Sequence, residues 1–240
     1  MLQCCLCQHT VDRWLPHPHA EQRSEFMKLL RTVGSDLNLY QCPSCGCNDR
    51  DRHLWLYMEA AGVTPRIAGS RVLHLAPEAH IERKLMALEP ALYVRGDLNP
   101  TKPGHVKINA EQLPFANDSF DLVICNHVLE HVSRPERALA EFQRCLEPMG
   151  LLIAQTPYSP LLKNTFELDE PPTEDFAAMF YGQKDHVRLF GADIVDYFRD
   201  AGFQGELLAH DELLPGVDPQ ASGCNGREPF FLFFSVGLAA

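Results

Sequence analysis

The stretch L-P-F-A-N-D-S-F-D-L-V-I-C-N-H-V-L-E-H fills residues 113–131 and contains the segment that decides the fold. Within it, residues 121–126 (D-L-V-I-C-N) are almost continuously apolar. Such a run is typical of a strand buried on both faces, as in parallel sheets that helices cover on two sides. The stretch therefore predicts a buried strand in an α/β domain.

Outward from this strand, short apolar runs alternate with segments of helical periodicity. Strands are predicted at residues 71–76, 91–96, 106–109, 121–126, 151–156, 203–209 and 229–236. Helices are predicted at residues 21–33, 49–61, 81–88, 135–146 and 192–201. This alternation implies right-handed crossovers and a doubly wound, mostly parallel sheet. The irregular residues 157–190 predict either a lid over a substrate or a disordered insertion.

The composition and charge of the chain disfavour nucleic-acid and membrane partners. The formal net charge is −11 and the pI is about 5.4, a field that repels a phosphate backbone. No stretch approaches the roughly 20 apolar residues of a membrane helix. Cys4, Cys5 and Cys7 stand where a signal peptide would carry basic and apolar residues. We therefore expect a cytoplasmic location.

Nine cysteines are many for a chain in a reducing compartment, and six of them lie within the first 47 residues. Cys4 and Cys7 form one C-x-x-C pair, and Cys42 and Cys45 form a second pair within C-P-S-C-G. Two such pairs can hold one tetrahedral Zn²⁺ in a closed, structural site. Spare candidate ligands are Cys5, Cys47 and His9. Free thiols in a small hydrophobic unit, or a redox pair, are the alternatives. The sequence thus predicts a small zinc-binding module and linking helix over residues 1–66, followed by the sheet domain over residues 67–240.

Ligands of a doubly wound sheet bind at the carboxyl ends of its strands, where the strand order reverses. The strand at 71–76 runs into the sequence H-L-A-P-E at 74–78, which lacks the G-x-G-x-x-G pattern of dinucleotide-binding folds. The next strand ends near Asp97, which can accept hydrogen bonds from both hydroxyls of a nucleoside ribose. The alternative is that Asp97 caps the turn at Asn99 and Pro100.

Several segments, taken in order, resemble the motifs of class I S-adenosylmethionine-dependent methyltransferases of the type 11 group. They are V-L-H-L-A-P-E (72–78), Y-V-R-G-D-L-N-P (93–100), the stretch at 113–132 and L-E-P-M-G-L-L-I-A-Q-T-P (146–157). A subgroup with an N-terminal zinc ribbon is more similar still, through C-P-S-C-G (42–46), R-D-R-H-L-W-L-Y (50–57) and G-Q-K-D-H-V-R-L-F-G (182–191). The likeness to the type 11 group covers about residues 70–236.

The resemblance implies S-adenosylmethionine as cofactor and a place for each motif around it. Asp97 would hold the ribose, and Asn109 and Ala110 would face the adenine edge. Asn126 and His127 would face the methionine half and the transferable methyl group. The remaining implied cofactor-binding positions are His74, Ala76, Glu78 and Leu98.

The chain departs from the family's pattern in two motifs. His74, Ala76 and Pro77 replace an acidic residue and glycines of the first motif, and Glu78 is placed to supply the missing carboxylate. Asn109 replaces the common aspartate, although its carbonyl oxygen can still accept from an adenine amino group.

Methyl transfer to an amine or a hydroxyl also needs a base. His186, beside Asp185, is the first candidate and His127 is the second. The alternative is that Asp185 and His186 cap a helix or tie down the lid. Lys184 and Arg188 could bind an anionic group of the substrate.

Residues 127–131 also match H-x-x-E-H, the inverted zinc-protease signature. A strand end leading into Pro135 is not the long helix that such a protease needs, so Glu130 and His131 are interpreted as structural or as lining the substrate pocket. The resemblance therefore implies a methyltransferase that acts on a small-molecule or otherwise unidentified acceptor, with structural zinc at the N-terminus. The alternative is a non-catalytic S-adenosylmethionine-binding or scaffold protein with a degenerate first motif.

Overall fold

The computed structural model describes residues 2–237. Its strands are β1 Leu2–Gln3, β2 Thr10–Val11, β3 Arg71–Leu75, β4 Leu92–Asp97, β5 Val106–Lys107, β6 Phe120–Cys125, β7 Leu146–Ile153, β8 Phe166–Glu167, β9 Arg188–Leu189, β10 Phe203–Leu208 and β11 Phe230–Ser235. Its α-helices are α1 Glu25–Leu29, α2 Asp49–Ala60, α3 Ala79–Met86, α4 Pro135–Cys145, α5 Glu174–Phe180, α6 Ile194–Asp200, α7 His210–Leu213 and α8 Pro219–Ser222. Within this part of the chain, no helix is long and apolar enough to cross a bilayer.

Seven strands form one sheet in the order β5-β4-β3-β6-β7-β11-β10. The strands from β5 to β7 pair in parallel, whereas β11 is antiparallel to both of its neighbours. The predicted doubly wound, mostly parallel sheet is confirmed. The chain leaves β3 towards β4 on one side and returns to β6 on the other, so the strand order reverses between β3 and β6. A ligand site is expected in the crevice at their carboxyl ends.

Side chains of the central strands alternate between two hydrophobic layers, because successive residues of a strand point to opposite faces. Val123 and Cys125 of β6 belong to the layer that contains Phe142 of α4 and Phe198 of α6. Leu122 and Ile124 belong to the opposite layer, which contains residues of α2 and α3. These four β6 side chains are at most 3% exposed, as the apolar run predicted.

The N-terminal part differs most from the predicted elements. The helix predicted at residues 21–33 is reduced to a 3₁₀ turn, Ala20–Gln22, and the short helix α1. The side chain of Ser24 accepts a hydrogen bond from the Phe26 amide and so starts α1 late. Arg31 takes a left-handed φ of 49°, and Val33 then forms a β-bridge with Tyr158. A contact far away in sequence thus overrides the helical periodicity.

The irregular segment 157–190 is folded, so the interpretation as a disordered insertion is wrong. It contains β8, α5 and β9, and it packs on α1 through a separate hydrophobic cluster. The buried members of that cluster are Met27, Ala177, Tyr181 and Leu189. The hydroxyl of Ser24 also donates to the Met179 carbonyl. The segment is therefore held in place by the N-terminal part of the chain.

Arg52 of α2 joins the cysteine-rich region to the rest of the molecule. Its guanidinium is fully buried and lies 4.1 Å from the centre of the Trp14 ring. It donates to the carbonyl oxygens of Cys47, Leu39 and Gly223. A buried charge has to be paired or hydrogen-bonded, and these contacts come from three separate parts of the chain.

Replacing Arg52 with Met should lower the free energy of unfolding by about 3 kcal/mol, because several buried carbonyl groups lose their donors. Urea titration followed by circular dichroism measures the loss. Arg50→Met, on the same helix at a half-buried position, is the matched control and should change stability by much less. Equal losses in the two variants would show that Arg52 does not join these parts of the chain.

Candidate functional site

The turn after β3 brings a carboxylate back to the edge of the sheet. Ala76 has a φ of 48°, and its amide still donates to the Gly96 carbonyl at 2.8 Å, which keeps the turn against β4. Glu78 then occupies the N-cap position of α3. A left-handed residue directly after the strand reverses the chain sharply. The Glu78 side chain therefore comes to lie beside the end of β3.

His74 lies under Glu78 and fixes its position. The imidazole is 0% exposed, with Nε2 2.8 Å from Glu78 Oε2 and Nδ1 2.9 Å from the Tyr93 hydroxyl. Burial alone would raise the pKa of Glu78, but the hydrogen bond and the charge of His74 outweigh it and hold the pKa below its ordinary value. Glu78 is therefore an ionised, oriented carboxylate. His74, predicted to bind cofactor, lies behind that carboxylate.

Asn126 connects this carboxylate to the end of β6. Its Nδ2 donates to Glu78 Oε1 at 3.3 Å, and its Oδ1 accepts from the Gln155 amide at 3.0 Å. The Gln155 side chain in turn bridges Pro229 and Phe231 of the last strand region. Both side chains are only 4% exposed. The sequence analysis did not identify Gln155 as a site residue. No pattern in the neighbouring sequence shows that a glutamine after β7 will bind to the ends of two other strands.

Asp97 makes the turn cap that one of its two sequence interpretations proposes. Its Oδ1 accepts a hydrogen bond from the Asn99 amide at 2.7 Å and so caps the turn. An aspartate has a second carboxylate oxygen, which this contact leaves available for a ligand hydroxyl. The next side chain, Leu98, is 57% exposed and offers an apolar surface beside Asp97. In the next predicted segment, Asn109 is exposed and uses Oδ1 to accept from the Glu111 amide at 2.9 Å, while Ala110 is buried.

His127 follows Asn126 with a φ of 53° and lies between two buried glutamates. Its Nδ1 is 3.5 Å from Glu130 Oε1, and its Nε2 is 3.9 Å from Glu228 Oε1. The ring is partly open, with 13% of the side chain exposed. Glu228 also lies 3.8 Å from His53 of α2, which connects the site to the N-terminal part. Sequence reasoning missed Glu228 and His53, which belong to no recognised cofactor motif.

Glu130 is an ionised carboxylate with no open surface of its own. It is 1% exposed, and its Oε2 accepts from the Thr156 hydroxyl at 3.0 Å. Burial raises its pKa, but the contact with His127 and the nearby imidazoles outweigh burial and lower the pKa to about 2. A buried charge this strongly stabilised is more common at functional sites than in ordinary cores.

His131 and His186 meet beside Glu130, with their ring centres 4.7 Å apart. His186 is 3% exposed, and its Nδ1 is 2.8 Å from the Tyr181 carbonyl oxygen. Asp185, predicted to assist His186, instead directs its carbonyl oxygen and its carboxylate to His131 Nδ1, at 3.1 and 3.4 Å. The sequence placed these residues in one region, and the structure changes which of them are paired.

Arg188 holds this region together and is not free to bind a substrate. Its guanidinium donates to the carbonyls of Leu129, Val132 and Ser133 and makes two contacts with Glu167. These contacts use all five donor hydrogens of an arginine. The substrate-binding role predicted for Arg188 is therefore wrong, because all of its donors are used in fixing the turn that carries Glu130 and His131. Lys184 lies 3.4 Å from Glu174 at an exposed position.

The cysteines of the N-terminal region gather into a compact group. The sulfurs of Cys4, Cys42, Cys45 and Cys47 all lie within 4.8 Å of one another. Cys4 Sγ is 3.5 Å from Cys47 Sγ and 3.9 Å from Cys45 Sγ. Around a tetrahedral zinc ion with bonds of about 2.3 Å, sulfurs lie about 3.8 Å apart, so the group fits such an ion. The compact group includes Cys47 and not the predicted Cys7, whose thiol nevertheless lies beside those of Cys4 and Cys45.

Comparison with known proteins agrees with this geometry. Residues 69–154 match a family described as a methyltransferase domain. The chain is 29% identical over 131 residues to the demethylmenaquinone methyltransferase of Clavibacter sepedonicus, a match that covers 48% of this chain and 53% of that protein. It is 36% identical over 120 residues to the phthiotriol/phenolphthiotriol dimycocerosates methyltransferase of Mycobacterium leprae, with 42% of each chain covered. These matches span about half the length of the relatives.

A solved structure shows the same fold over a larger part of the chain. The S-adenosylmethionine-dependent methyltransferase of Mesorhizobium loti has a TM-score of 0.51, with 75% of this chain and 96% of that chain covered. The sequence identity is 15%, so the likeness concerns the fold alone.

The pair formed by His74 and Glu78 should make stability depend on pH. Because the folded state lowers the pKa of Glu78 below 4.5, its ionised form stabilises the fold above that pH. The stabilisation is lost as pH falls through the lowered value. In urea titrations, the difference in unfolding free energy between the wild type and Glu78→Gln should be constant from about pH 7 to 5 and shrink below about 4.5.

Glu206→Gln is the control for this measurement, since Glu206 is an exposed glutamate on β10. Its difference from the wild type should stay small at every pH. A difference for Glu78→Gln that does not change with pH would contradict a lowered pKa of Glu78.

Proposed function

We propose that the chain is an S-adenosylmethionine-dependent methyltransferase that transfers a methyl group from this cofactor to a small molecule. The observation that carries the proposal is the pair of carboxylates at the point where strand order reverses. Glu78 and Asp97 lie at the ends of neighbouring parallel strands, β3 and β4. When bound, S-adenosylmethionine supplies an activated methyl group on a positively charged sulfonium. An acidic crevice at this edge complements that charge and the cofactor's amino group.

Each residue at the edge has a separate task in this proposal. The free oxygen of Asp97 accepts from the ribose hydroxyls, and Leu98 covers one face of the adenine. Asn109 and the backbone of Ala110 hold the adenine edge. Glu78, held by His74 and Asn126, binds the amino group of the methionine half. Ala76 supplies backbone to the same turn in place of the family's glycine, since its φ of 48° is one that glycine adopts easily.

The acceptor is proposed to be a small molecule rather than a nucleic acid. The net charge of −11 works against a phosphate backbone. The relatives named above are methyltransferases of demethylmenaquinone and of a dimycocerosate lipid, which supports an apolar acceptor. The segment 157–190, folded against α1, would cover such an acceptor and exclude water.

His127 is proposed to receive the proton that an acceptor releases. It is partly exposed and adjoins Asn126, and its two nitrogens lie 3.5 and 3.9 Å from glutamate oxygens. His186 and Asp185, the other predicted catalytic residues, are less suited, because His186 is buried and Asp185 contacts His131. The competing scaffold function predicts no turnover with any acceptor and no loss on His127→Gln.

We also propose that the four gathered sulfurs bind structural zinc. The ion would carry a net negative charge with its four thiolates, and the Arg52 guanidinium, 3.5 Å from Cys47 Sγ, would offset part of that charge. The closed set of four sulfurs leaves no open position for a substrate.

Binding of the demethylated cofactor tests the cofactor site directly. S-adenosylhomocysteine should raise the melting temperature of the wild type, because it binds only the folded state. Asp97→Asn keeps an oxygen to cap the Asn99 amide, so it should melt at nearly the wild-type temperature without ligand. Its ligand-induced shift should nevertheless fall to less than about half, since the charged ribose contact is lost.

Asp97→Ala should lose both the cap and the ligand-induced shift. Asp200→Ala, at an exposed position beyond the site, is the control and should keep the full shift. A full shift in both Asp97 variants would place the nucleoside elsewhere.

Metal analysis tests the zinc proposal and decides between Cys7 and Cys47. Protein purified under reducing conditions should hold zinc at the thiolate site, and Cys47→Ala should release it and destabilise the N-terminal region. Cys7→Ala should retain the metal, because Cys7 lies outside the compact group. Protein that holds no zinc, or loss of zinc in Cys7→Ala alone, would contradict the assignment.

A further inference from the structure

A second group of metal-binding side chains lies beside the proposed methyl-transfer site. Ligand atoms of Glu130, His131 and His186 lie within 4.8 Å of one another. Glu130 and His131 come from the turn after β6, whereas His186 comes from the segment 157–190. In the proposed reaction, Glu130 only adjoins His127, and neither His131 nor His186 takes part.

The hydrogen bonds of the two histidines show which nitrogen of each ring is left to bind a ligand. His186 Nδ1 lies 2.8 Å from the Tyr181 carbonyl oxygen, and His131 Nδ1 lies 3.1 Å from the Asp185 carbonyl oxygen. A carbonyl oxygen only accepts, so both Nδ1 atoms must carry the hydrogen. In the neutral rings, both Nε2 atoms then carry free lone pairs. This arrangement, with the distal nitrogen donating to a backbone carbonyl, is the one that metal-bound histidines normally have.

His186 is left with an unexplained buried atom. The residue is 97% buried, given its exposure of 3%, and its Nε2 has no hydrogen-bond partner among the described residues. A buried polar atom without a partner is costly, and most such atoms in folded proteins are satisfied. A bound cation would satisfy the lone pair of His186 Nε2.

Hydrogen bonds also fix the orientation of the Glu130 carboxylate. Glu130 Oε2 accepts from the Thr156 hydroxyl at 3.0 Å, which orients the side chain. Arg188 holds the carbonyls of Leu129 and Val132 on both sides of Glu130, and the Val187 amide donates to the Glu130 carbonyl at 3.0 Å. Hydrogen bonds therefore fix the backbone that carries the three side chains.

We propose that Glu130, His131 and His186 form a binding site for one divalent transition-metal ion. Two imidazoles and one carboxylate suit zinc, iron, cobalt or manganese and leave coordination positions open. Ligand atoms around such an ion lie about 3.3 Å apart, and those of the three side chains lie within 4.8 Å of one another, so small side-chain rotations would complete the site. The H-x-x-E-H pattern thus supplies two ligands from a turn, and the third comes from a distant segment rather than from a protease helix.

The position of this site indicates what an ion would do there, an inference that rests on the proposed function. Glu130 lies 3.5 Å from His127, so an open coordination position would face the acceptor. A hydroxyl acceptor bound to the ion loses its proton to His127 or to water. An electron pair of the acceptor oxygen then forms the new bond to the methyl carbon, and the pair of the broken carbon–sulfur bond stays on sulfur as a neutral thioether. The site therefore favours a hydroxyl oxygen as the methyl acceptor.

Cobalt titration of the full chain, with zinc already in the cysteine site, tests the proposal. Co²⁺ should bind with the visible absorption of a nitrogen- and oxygen-ligated ion and without the intense thiolate charge-transfer band that cysteine ligands give. Glu130→Gln and His186→Gln should each weaken binding by about 10- to 100-fold. His19→Gln, at an exposed position, is the matched control and should leave the affinity unchanged.

A measurement on the wild type covers the case in which a variant fails to fold. Bound Co²⁺ should shift and broaden the ring proton signals of His131 and His186 in the NMR spectrum before those of other histidines. Absence of Co²⁺ binding at millimolar concentration, or broadening that falls first on other histidines, would overturn the metal site. The S-adenosylhomocysteine melting experiment needs no second metal, so failure of the proposed function would be seen separately.

Discussion

The site depends on the need to pair buried carboxylates. Glu78, Glu130 and Glu228 lie at the carboxyl edge of the sheet, and each contacts at least one histidine. An unpaired carboxylate in this position would cost several kcal/mol, so the histidines have to be present when the fold forms. Because the partners come from α2, β3 and the turn after β6, the pairing draws these elements into one arrangement. The same contacts that satisfy the charges also build the site.

The second constraint is that the N-terminal region is attached to the sheet domain at several points. Arg52 joins the cysteine group to Gly223, and α1 packs on the segment 157–190. His53, on the same helix as Arg52, reaches Glu228 and through it the surroundings of His127. Loss of the cysteine group would therefore disturb more than the first 50 residues. A structural zinc ion far from the reaction would still influence the site, because the contacts run through a single helix.

Local sequence patterns are sufficient to predict the secondary structure in the central part of the sheet domain. The order of strands and helices from β3 to β7 follows from apolar runs, and the predicted bounds differ by a few residues at most positions. Asp97, Asn126 and His127 lie at strand ends, where the motifs place them. Local patterns fail at the N-terminus, where the helix predicted at 21–33 is cut short. There, pairing of Val33 with Tyr158 overrides a weak helical preference.

The sequence by itself determined the doubly wound sheet and three of the four cysteines in the compact sulfur group. These features depend on residue type and spacing along the chain, which are local. Only the tertiary structure decided that Cys47 joins the compact sulfur group and that His186 faces Glu130 and His131. It also decided that Arg188 uses its donors to hold the turn after β6. Those choices depend on which distant segments meet, and on which buried atoms are left without a partner when they do. Neither the contacts between distant segments nor the unpartnered atoms can be read from the spacing of residues along the chain.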